Sequence, residues 1–525
     1  MNRFWRSASR RRTATRRGAS IPISSLSLES LEARQLLAGD IGGALVANAN
    51  LLATYTVTST ADTVNATDGV LTLREAIQQA NASNGPDEIA FNIPGPGPYS
   101  IRPLSPLPEI DDPVVIDGAT QPGFTGTPII ELDGSLAGVG ASADGLFITA
   151  GASTVRGLVI NRFAGNGIHL SDNGGNVIVG NFIGLDLTGT QARGNGADGV
   201  FVANSPDNRI GGTTAQERNV ISGNDSPSGD GIELNGNLST GNEILGNYLG
   251  TDVTGLVAVP NDSNGIEIDG AITNLIGGED PGAGNLISGN GSDGIELRAA
   301  SMDITIQGNF IGVDRTGAAP LGNGNDGLSI NAGSVQNLVG GNTPAAANVI
   351  SGNIGDGIEL NGADTIDNRV RGNLIGVDAG GTFAVPNGSD GIEIQSAVGN
   401  TIGGTTPGAG NVISGNTSDG IELADNASGN RIQGNLIGLD ITGAAPLGNA
   451  RRGVYLDNGA NNNTIGGVAE GEANQIAHNQ EAGVYLRYDA GNGNSVRGNA
   501  IFGNLGLSID LVTGDATTTI EGPTP

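Results

Sequence analysis

The sequence predicts an all-β solenoid of short stacked strands, with one short α-helix at its amino-terminal end. The 525 residues include 90 Gly but only 17 aromatic residues, which is too few large side chains for several compact cores. Val, Ile and Leu nevertheless recur throughout the chain, so wholesale disorder is excluded. A Gly followed by apolar, variable and apolar residues recurs between Gly145 and Gly506, at spacings of 22 to 34 residues. Such a period is typical of a solenoid or an array of repeats.

Residues 1–38 are predicted to be an export or targeting segment without fixed structure. They hold eight Arg and two Glu. The stretch LESLEARQLLAGD, Leu28 to Asp40, resembles the amino-terminal export motif of large secreted bacterial surface proteins. The resemblance implies a secreted or cell-surface protein, and a retained disordered tail is the alternative.

The rest of the chain is strongly acidic. Residues 39–525 carry 16 Arg and 52 Asp or Glu, and the sequence contains no Lys. Nucleic-acid affinity depends on basic side chains that neutralise phosphates, so a nucleic-acid partner is not expected. No stretch approaches 18 consecutive apolar residues, so no transmembrane segment is predicted.

Residues 39–141 are predicted to contain a strand near Tyr55–Thr58, a helical cap and the first irregular coils. Thr72 and Glu75 form a capping box, in which each side chain bonds the backbone of the other residue. An apolar stripe at helical spacing follows, made of Leu73, Ala76, Ile77 and Ala80. The stretch from Tyr55 to Asn81 resembles the amino-terminal module with a CSLREA signature found on bacterial secreted repeat proteins. Leu71 and Thr72 replace the Cys and Ser of that signature. The helix is expected to cover the open end of an apolar core.

Residues 142–515 are predicted to form about 13 coils of three short strands each, and residues 516–525 a tail. Besides the Gly phrase, most repeats contain Asn-x-[Ile/Val] and either NVISGN or GNLIG, and each phrase alternates with period two. Extra residues form two alternating corner loops, one like GGTTPGAGN and one like IGxDxTG with Asp186, Asp252, Asp314 and Asp440. The Asp-x-Thr-Gly loops are interpreted either as plain turns or as loops whose Asp binds a metal ion. This organisation resembles the right-handed, single-stranded parallel β-helix superfamily that includes pectate lyases and polygalacturonases.

One column of outward side chains carries the most information about function. In the phrase Gly-Ile-Glu-Leu the residue between the two apolar residues faces solvent. Reading that position along the repeats gives Phe147, His169, Phe201, Glu233, Glu267, Glu296, Ser329, Glu359, Glu393, Glu422, Tyr455, Tyr485 and Ser508. The aromatic and His members, Phe147, His169, Phe201, Tyr455 and Tyr485, are candidate ligand-binding residues, with His169 more typical of an ordinary surface residue.

The six Glu of this column are open to three interpretations. Neighbours about 5 Å apart with like charge are mutually destabilising, so the column needs a reason to persist. Repeat copying onto a solvated face is the first reason, calcium binding by oxygen ligands is the second, and a catalytic role is the third. The Asp that precedes the Gly in most repeats is expected to hold its own turn through Asx hydrogen bonds.

Catalytic motifs of the resembled enzymes are missing. The chain has neither the Gly-His-Gly motif of polygalacturonases nor the Arg-x-Pro-x-x-Arg setting of pectate lyases. It has no Cys and no nucleophile elbow. Arg298 is the candidate base for a lyase, although pairing with a neighbouring acid explains it as well. The sequence therefore predicts a secreted or cell-surface β-helix repeat protein with a structural, adhesive or glycan-binding role, with polysaccharide or cell-envelope components as partners. A polysaccharide lyase or glycoside hydrolase acting on an acidic or neutral polysaccharide is the alternative.

Overall fold

The protein is a right-handed parallel β-helix of about 14 coils, which confirms the predicted fold class. The computed structural model describes residues 53–140, 142–225 and 228–512, together with the backbone of 519–521. Over these residues the strands form three parallel sheets of 16, 14 and 13 strands, named sheets A, B and C. Each repeat visits them in the order C, A, B. The predicted export segment at residues 1–38 lies outside the described residues.

Sheet A contains the Asn-x-[Ile/Val] phrase and extends beyond the regular repeats at both ends. Its middle residue points inward, as at Ile210 and Ile244, which are fully buried. The strands are Thr54–Val57, Asp87–Phe91, Val114–Asp117, Thr154–Arg156, Val177–Val179, Arg209–Gly211, Glu243–Leu245, Leu275–Gly277, Thr305–Gln307, Leu338–Gly340, Arg369–Arg371, Thr401–Gly403, Arg431–Gln433, Thr464–Gly466, Ser495–Arg497 and Thr519–Glu521. The first three strands precede residue 142 and the last falls in the predicted tail.

Sheet B contains the NVISGN and GNLIG phrases. In its two-residue strands the second residue is buried in the core, whereas the first lies on the outer face. The strands are Tyr99–Ile101, Ile130–Asp133, Leu158–Asn161, Phe182–Ile183, Val220–Ile221, Tyr248–Leu249, Leu286–Ile287, Phe310–Ile311, Val349–Ile350, Leu374–Ile375, Val412–Ile413, Leu436–Ile437, Gln475–Ala477 and Ala500–Phe502.

Sheet C contains the Gly-Ile-Glu-Leu phrase and displays the predicted outward column. The strands are Leu146–Ile148, Ile168–Ser171, Val200–Ala203, Ile232–Asn235, Ile266–Asp269, Ile295–Arg298, Leu328–Ile330, Ile358–Asn361, Ile392–Gln395, Ile421–Ala424, Val454–Leu456, Val484–Leu486 and Ile509–Leu511. The Gly that opens each phrase sits where coils approach closely. A Cβ on Gly294 would lie 2.5 Å from the carbonyl oxygen of Gly327.

The predicted helix is confirmed as Leu73–Ala82. The backbone N–H of Thr72 donates to Glu75 at 3.0 Å, and the N–H of Glu75 donates to Thr72 Oγ1 at 3.3 Å, so the capping box is complete. Its stripe of Leu73, Ala76, Ile77 and Ala80 is buried with Val57 and Ile89, residues of the first two strands of sheet A. The helix therefore covers apolar side chains at the amino-terminal end of the core. The likeness to the CSLREA module remains a prediction.

Three ladders of buried Asn cross the corners between sheets. The longest uninterrupted ones have eleven members each. One comprises Asn181, Asn219, Asn247, Asn285, Asn309, Asn348, Asn373, Asn411, Asn435, Asn474 and Asn499, and the other runs from Asn195 to Asn504. The third runs from Asn176 to Asn494 with Ile304 replacing one amide. The Asn residues were predicted only as strand phrases, and their role as ladders emerges from the structure.

The IGxDxTG loops, at the corner between sheets B and C, are turns that stack on one another. In each, the Asp carboxylate accepts backbone N–H groups of its own loop, as Asp440 does from Ala445 at 3.0 Å. These bonds, together with that from Thr442, lower the pKa of Asp440. Asp378 makes the same turn although its loop lacks the Asp-x-Thr-Gly pattern, so the sequence phrase missed it. Backbone N–H groups join successive loops, for example Val253 to Gly189 at 2.8 Å.

Replacing a ladder amide should lower stability much more than replacing an exposed Asn. Asn348 accepts from the backbone and side chain of Asn309 at 3.0 Å, and donates to Ile306 at 2.8 Å and to Asn373 at 2.9 Å. Asn348→Ala leaves several of these buried groups unpaired, so we expect the free energy of unfolding to fall by about 3 kcal/mol. Urea unfolding followed by circular dichroism measures the change.

The matched control is Asn342→Ala, at an exposed loop position. This variant should change the unfolding free energy by no more than about 0.5 kcal/mol. Equal losses in the two variants would show that the ladder has no special role.

Candidate functional site

The outward column of sheet C is stacked in register. Phe147 pairs with His169, His169 with Phe201, and Phe201 with Glu233, and the register continues through Tyr455 and Tyr485. The last predicted member is wrong, because Asp510 rather than Ser508 pairs with Tyr485. Ser508 instead occupies the place of the phrase-opening Gly, since its carbonyl oxygen receives the N–H of Val484.

Three rings form a continuous strip at the amino-terminal end of this column. The ring of His169 lies 4.6 Å from that of Phe147 and 5.0 Å from that of Phe201, measured between centroids. All three side chains are half-buried. His169 Nδ1 lies 3.0 Å from the carboxylate of Asp144, which fixes the ring orientation. The strip thus offers a rigid aromatic surface with one polar partner.

The two tyrosines at the other end of the column differ in accessibility. Their ring centroids are 5.6 Å apart, and the guanidinium of Arg452 lies 4.2 Å from the ring of Tyr455 and 4.6 Å from that of Tyr485. Tyr455 is 8% exposed and donates its hydroxyl to Asp457 at 2.9 Å. Burial and this bond raise the pKa of Tyr455 to about 12. Tyr485 is half-buried and keeps more surface for a ligand than Tyr455 does.

The Glu side chains of the column are hydrogen-bonded mainly to neighbouring amides. Asn235 donates to Glu233 at 2.8 Å, Asn361 to Glu359 at 3.1 Å and Gln395 to Glu393 at 2.6 Å, each from two positions along the same strand. Glu296 accepts from two Asn side chains of adjacent coils. These amides hold the carboxylates in place without neutralising their charge.

Arg298, the candidate base, is paired with two acids. Its guanidinium contacts Glu267 at 2.6 Å and Asp269 at 2.9 Å. This is the pairing that the sequence offered as the alternative to catalysis. Arg298 therefore acts as an internal counter-ion within the acidic column.

The Asp residues before each Gly form a ladder of their own, beside the Glu column. Asp230 donates its backbone N–H to Asp198 at 2.9 Å, and Asp356 and Asp390 repeat the bond in later coils. The expected Asx bond within each turn is thus replaced by a bond from the backbone of the next coil. Asn166 and Asn264 take the place of Asp in two coils, and at Arg452 the ladder ends.

Burial of these two adjacent acidic columns raises the pKa of several carboxyl groups. Desolvation is the largest cause in each case, and neighbouring carboxylates add to it. The pKa reaches about 8 for Asp198, Glu267 and Asp356, about 7 for Asp230 and Asp326, about 6 for Asp293 and Asp419, and about 9 for Glu422. Part of the face is therefore protonated near neutral pH, which weakens the repulsion between coils.

In three places, carboxylate oxygens of three residues lie within 4.8 Å of one another. The groups are Asp198, Asp230 and Glu233; Glu233, Glu267 and Asp269; and Asp390, Asp419 and Glu422. Of the six predicted metal ligands, Glu233, Glu267 and Glu422 belong to these groups. Glu296, Glu359 and Glu393 do not, at least among the described residues.

The comparisons with known proteins support the fold alone. Residues 340–524, about a third of the chain, match the family model of the right-handed β-helix region. No curated protein matches this chain. Within the described part of the chain, no helix has the length and hydrophobicity that crossing a membrane requires.

Among solved structures, the similar ones include a tailspike protein, a mannuronan epimerase and an alginate epimerase. The Dettilon tailspike protein is 16% identical with a TM-score of 0.46, over 76% of this chain and 66% of the tailspike, just under two thirds of its length. The A-module of the mannuronan C-5 epimerase AlgE6 of Azotobacter vinelandii is 15% identical with a TM-score of 0.40, over 86% and 94% of the two chains. A variant of the periplasmic alginate epimerase AlgG is 12% identical with a TM-score of 0.37, over 78% of each chain. At these identities no activity is transferred to this chain.

The raised pKa values predict that the protein is more stable at pH 5 than at pH 9. A folded-state pKa above the unfolded value means that the folded protein binds the proton more tightly. This stabilisation is complete below the ordinary carboxyl pKa and is lost as pH rises through about 6 to 9. We expect the melting temperature, measured by circular dichroism at constant ionic strength with a chelator, to fall by several degrees over that interval.

Glu422→Gln removes the carboxyl group whose pKa is raised most, so it should reduce the fall in melting temperature between pH 5 and pH 9. The control Glu470→Gln, on an exposed loop, should leave it unchanged. A melting temperature that is constant or rises between pH 5 and pH 9 would contradict the account of the acidic columns.

Proposed function

We propose that this protein is a secreted or cell-surface β-helix repeat protein that binds glycans along the outer face of sheet C. The observation that carries the proposal is the strip of Phe147, His169 and Phe201, with centroid separations of 4.6 and 5.0 Å. A binding surface for small ligands typically combines aromatic side chains with a few fixed polar groups. The His169–Asp144 pair supplies such a polar group beside the rings.

The strip gives a sugar ring an apolar contact surface made by three rings that pack on one another. Its three members come from consecutive coils, so their spacing is set by the backbone hydrogen bonds of sheet C rather than by flexible loops. A rigid surface loses little conformational entropy on binding. Tyr485 provides a second aromatic contact at the far end of the same face, beyond the Glu side chains, and a long glycan could touch both.

A polysaccharide lyase or hydrolase is the second candidate function. The observation that favours it is the cluster around Tyr455, in which Asp457 accepts from the Tyr455 hydroxyl at 2.9 Å and from Arg487 at 3.1 Å. Catalysis needs a proton acceptor that the substrate can reach. Tyr455 is 8% exposed and Arg452 packs on its ring, so the cluster is better suited to holding the two strands together. Glycan binding is therefore the better supported function.

We also propose calcium binding by the acidic groups of sheet C. Oxygen ligands from several carboxylates are the donors that Ca²⁺ prefers, and Glu233 belongs to two of the three groups. Asp198, Glu267 and Glu422 have a raised pKa, so a divalent cation would compete with protons for these carboxyls near neutral pH. Calcium would then stabilise the column whether or not a glycan is bound.

Removing an aromatic ring from sheet C should weaken glycan binding. In a glycan array or calorimetric titration, Phe201→Ala should lower the affinity about tenfold, because the variant loses part of the stacking surface. Tyr485→Ala should weaken the binding only of glycans that are long enough to reach both ends of the column. When the protein is incubated with pectin, alginate or chondroitin, it should bind the polysaccharide without raising the absorbance of the unsaturated-uronide band.

The control is Phe383→Ala, which removes a ring that is 71% exposed on a loop outside sheet C. Its affinity should equal that of the unmodified protein, and melting temperatures confirm that each variant folds. A protein that binds no glycan would overturn the proposal. A rise in the uronide absorbance that is lost in Tyr455→Phe would establish the lyase instead.

Calcium should raise the melting temperature of chelator-treated protein at pH 8. A ligand that binds only the native state adds stability with the logarithm of the ratio of free ligand to Kd, so millimolar CaCl₂ should give a rise of a few degrees. Glu233→Gln should reduce that rise because it alters two of the three groups. NaCl at equal ionic strength serves as the control, and an unchanged melting temperature with CaCl₂ would exclude calcium binding.

A further inference from the structure

We propose that the outer face of sheet B holds a separate binding site for a carboxylate-bearing sugar, a uronate residue of an acidic oligosaccharide. The site is a depression of about 230 Å³ whose lining includes Tyr248, Leu286, Phe310, Arg218 and Arg315. It lies on another sheet from the column described above, and the inference does not depend on glycan binding there.

The floor of the depression is apolar and aromatic. Tyr248, Leu286 and Phe310 occupy the outward position of sheet B in three consecutive coils, paired in register. Tyr248 and Leu286 are largely buried, whereas Phe310 is more open. The floor thus places two rings two coils apart, about 10 Å along the groove, with an aliphatic side chain between them.

The walls of the depression are fixed by close backbone packing. Gly255 has a φ of +66°, and a Cβ there would lie 2.9 Å from both Tyr248 and Leu286, so the loop rests directly on the floor. The backbone N–H of Arg315 donates to Gly255 at 3.0 Å, which anchors the next loop beside it. Gly284 approaches Gly308 on the opposite wall. The depression is therefore formed before any ligand binds.

In the part of the chain that the structure describes, two arginines line this depression without an internal counter-ion. The guanidinium of Arg218 stacks over Tyr248 at 4.1 Å and its Nε donates to Gly246 at 3.2 Å. Arg315 is exposed. Among the described residues, neither guanidinium has a carboxylate oxygen within 4.0 Å. Their acidic neighbours in sequence are engaged elsewhere, since Glu217 pairs with Arg209 at 3.0 Å and Asp314 accepts bonds from its own turn.

An anionic sugar matches this combination of groups. A guanidinium binds a carboxylate through paired, charge-assisted hydrogen bonds, and the more open ring of Phe310 offers an apolar surface for the pyranose. The formal net charge of −30 opposes the approach of an anion from a distance. At an ionic strength of about 0.15 M such long-range repulsion is screened beyond about 8 Å, so the local positive charge decides binding.

The test is calorimetric titration with a short oligogalacturonate at about 0.15 M NaCl, with a chelator so that calcium cannot bridge the ligand to the acidic columns. The fully methyl-esterified oligosaccharide is the matched neutral ligand. We expect the free acid to bind and its ester to bind at least tenfold more weakly. Arg218→Gln and Arg315→Gln should each lower the affinity for the free acid about tenfold. Phe310→Leu should also weaken it.

Two variants separate this site from other effects. Arg193→Gln changes an exposed arginine of another loop and should leave the affinity unchanged, as should Phe383→Ala on a loop outside sheet C. Arg315 is exposed, so its variant tests the site even if Arg218→Gln lowers the melting temperature. No binding in the presence of chelator, equal binding of the ester, or equal losses in the Arg193 variant would overturn the proposal. Competition by dextran sulfate as strong as by oligogalacturonate would overturn the assignment to a carboxylate.

Discussion

The structure depends on one constraint, the exact repetition of backbone hydrogen bonds from each coil to the next. Parallel strands stack about 4.8 Å apart, so every side chain meets its counterparts in the coils before and after it. Apolar residues satisfy this condition inside the helix, where Ile and Leu stack at almost no exposure. The corners are harder, because their backbone groups turn away from the sheets. The Asn ladders solve this problem: Asn348 alone joins backbone or side-chain groups of Ile306, Asn309 and Asn373 in adjacent coils.

The same repetition creates the main electrostatic difficulty on sheet C. A carboxylate that repeats in register faces like charges on both sides. The chain reduces the repulsion in several ways. Amides such as Asn235 bond the Glu side chains, Ser329 interrupts their column, and Arg298 and Arg452 place positive charge beside it. Burial reduces the repulsion further, because it favours protonation of the remaining carboxyls. The acidic face is therefore a set of partly neutralised columns rather than a uniform negative surface.

Much of this could be predicted because the repeat exposes its own geometry in the sequence. Alternation within Gly-Ile-Glu-Leu identified the outward position, and the capping box identified the helix. The failures arose where the repeat loses its regularity. Asp510 takes the column position predicted for Ser508 because the last coil is shifted by two residues. Asp378 was not predicted because its loop lacks the Thr of the Asp-x-Thr-Gly pattern. The repeat pattern could not predict that Arg218 and Arg315, from two different loops, line the same depression. No repeated phrase encodes how these loops pack.

Local counter-ions, rather than net charge, explain why the two faces differ. On sheet C, Arg298 contacts Glu267 of the acidic column and Arg487 contacts Asp457 and Asp489 beside the tyrosines, so their positive charge is used within the protein. On sheet B the outward positions from Val159 to Leu436 are apolar, and the acids next to the two arginines are occupied, Asp314 by its own turn and Glu217 by Arg209. An arginine that projects from such a loop therefore keeps its charge for an external anion. A chain with many more acids than arginines can in this way offer a positive site, provided that its acids are occupied by the fold itself.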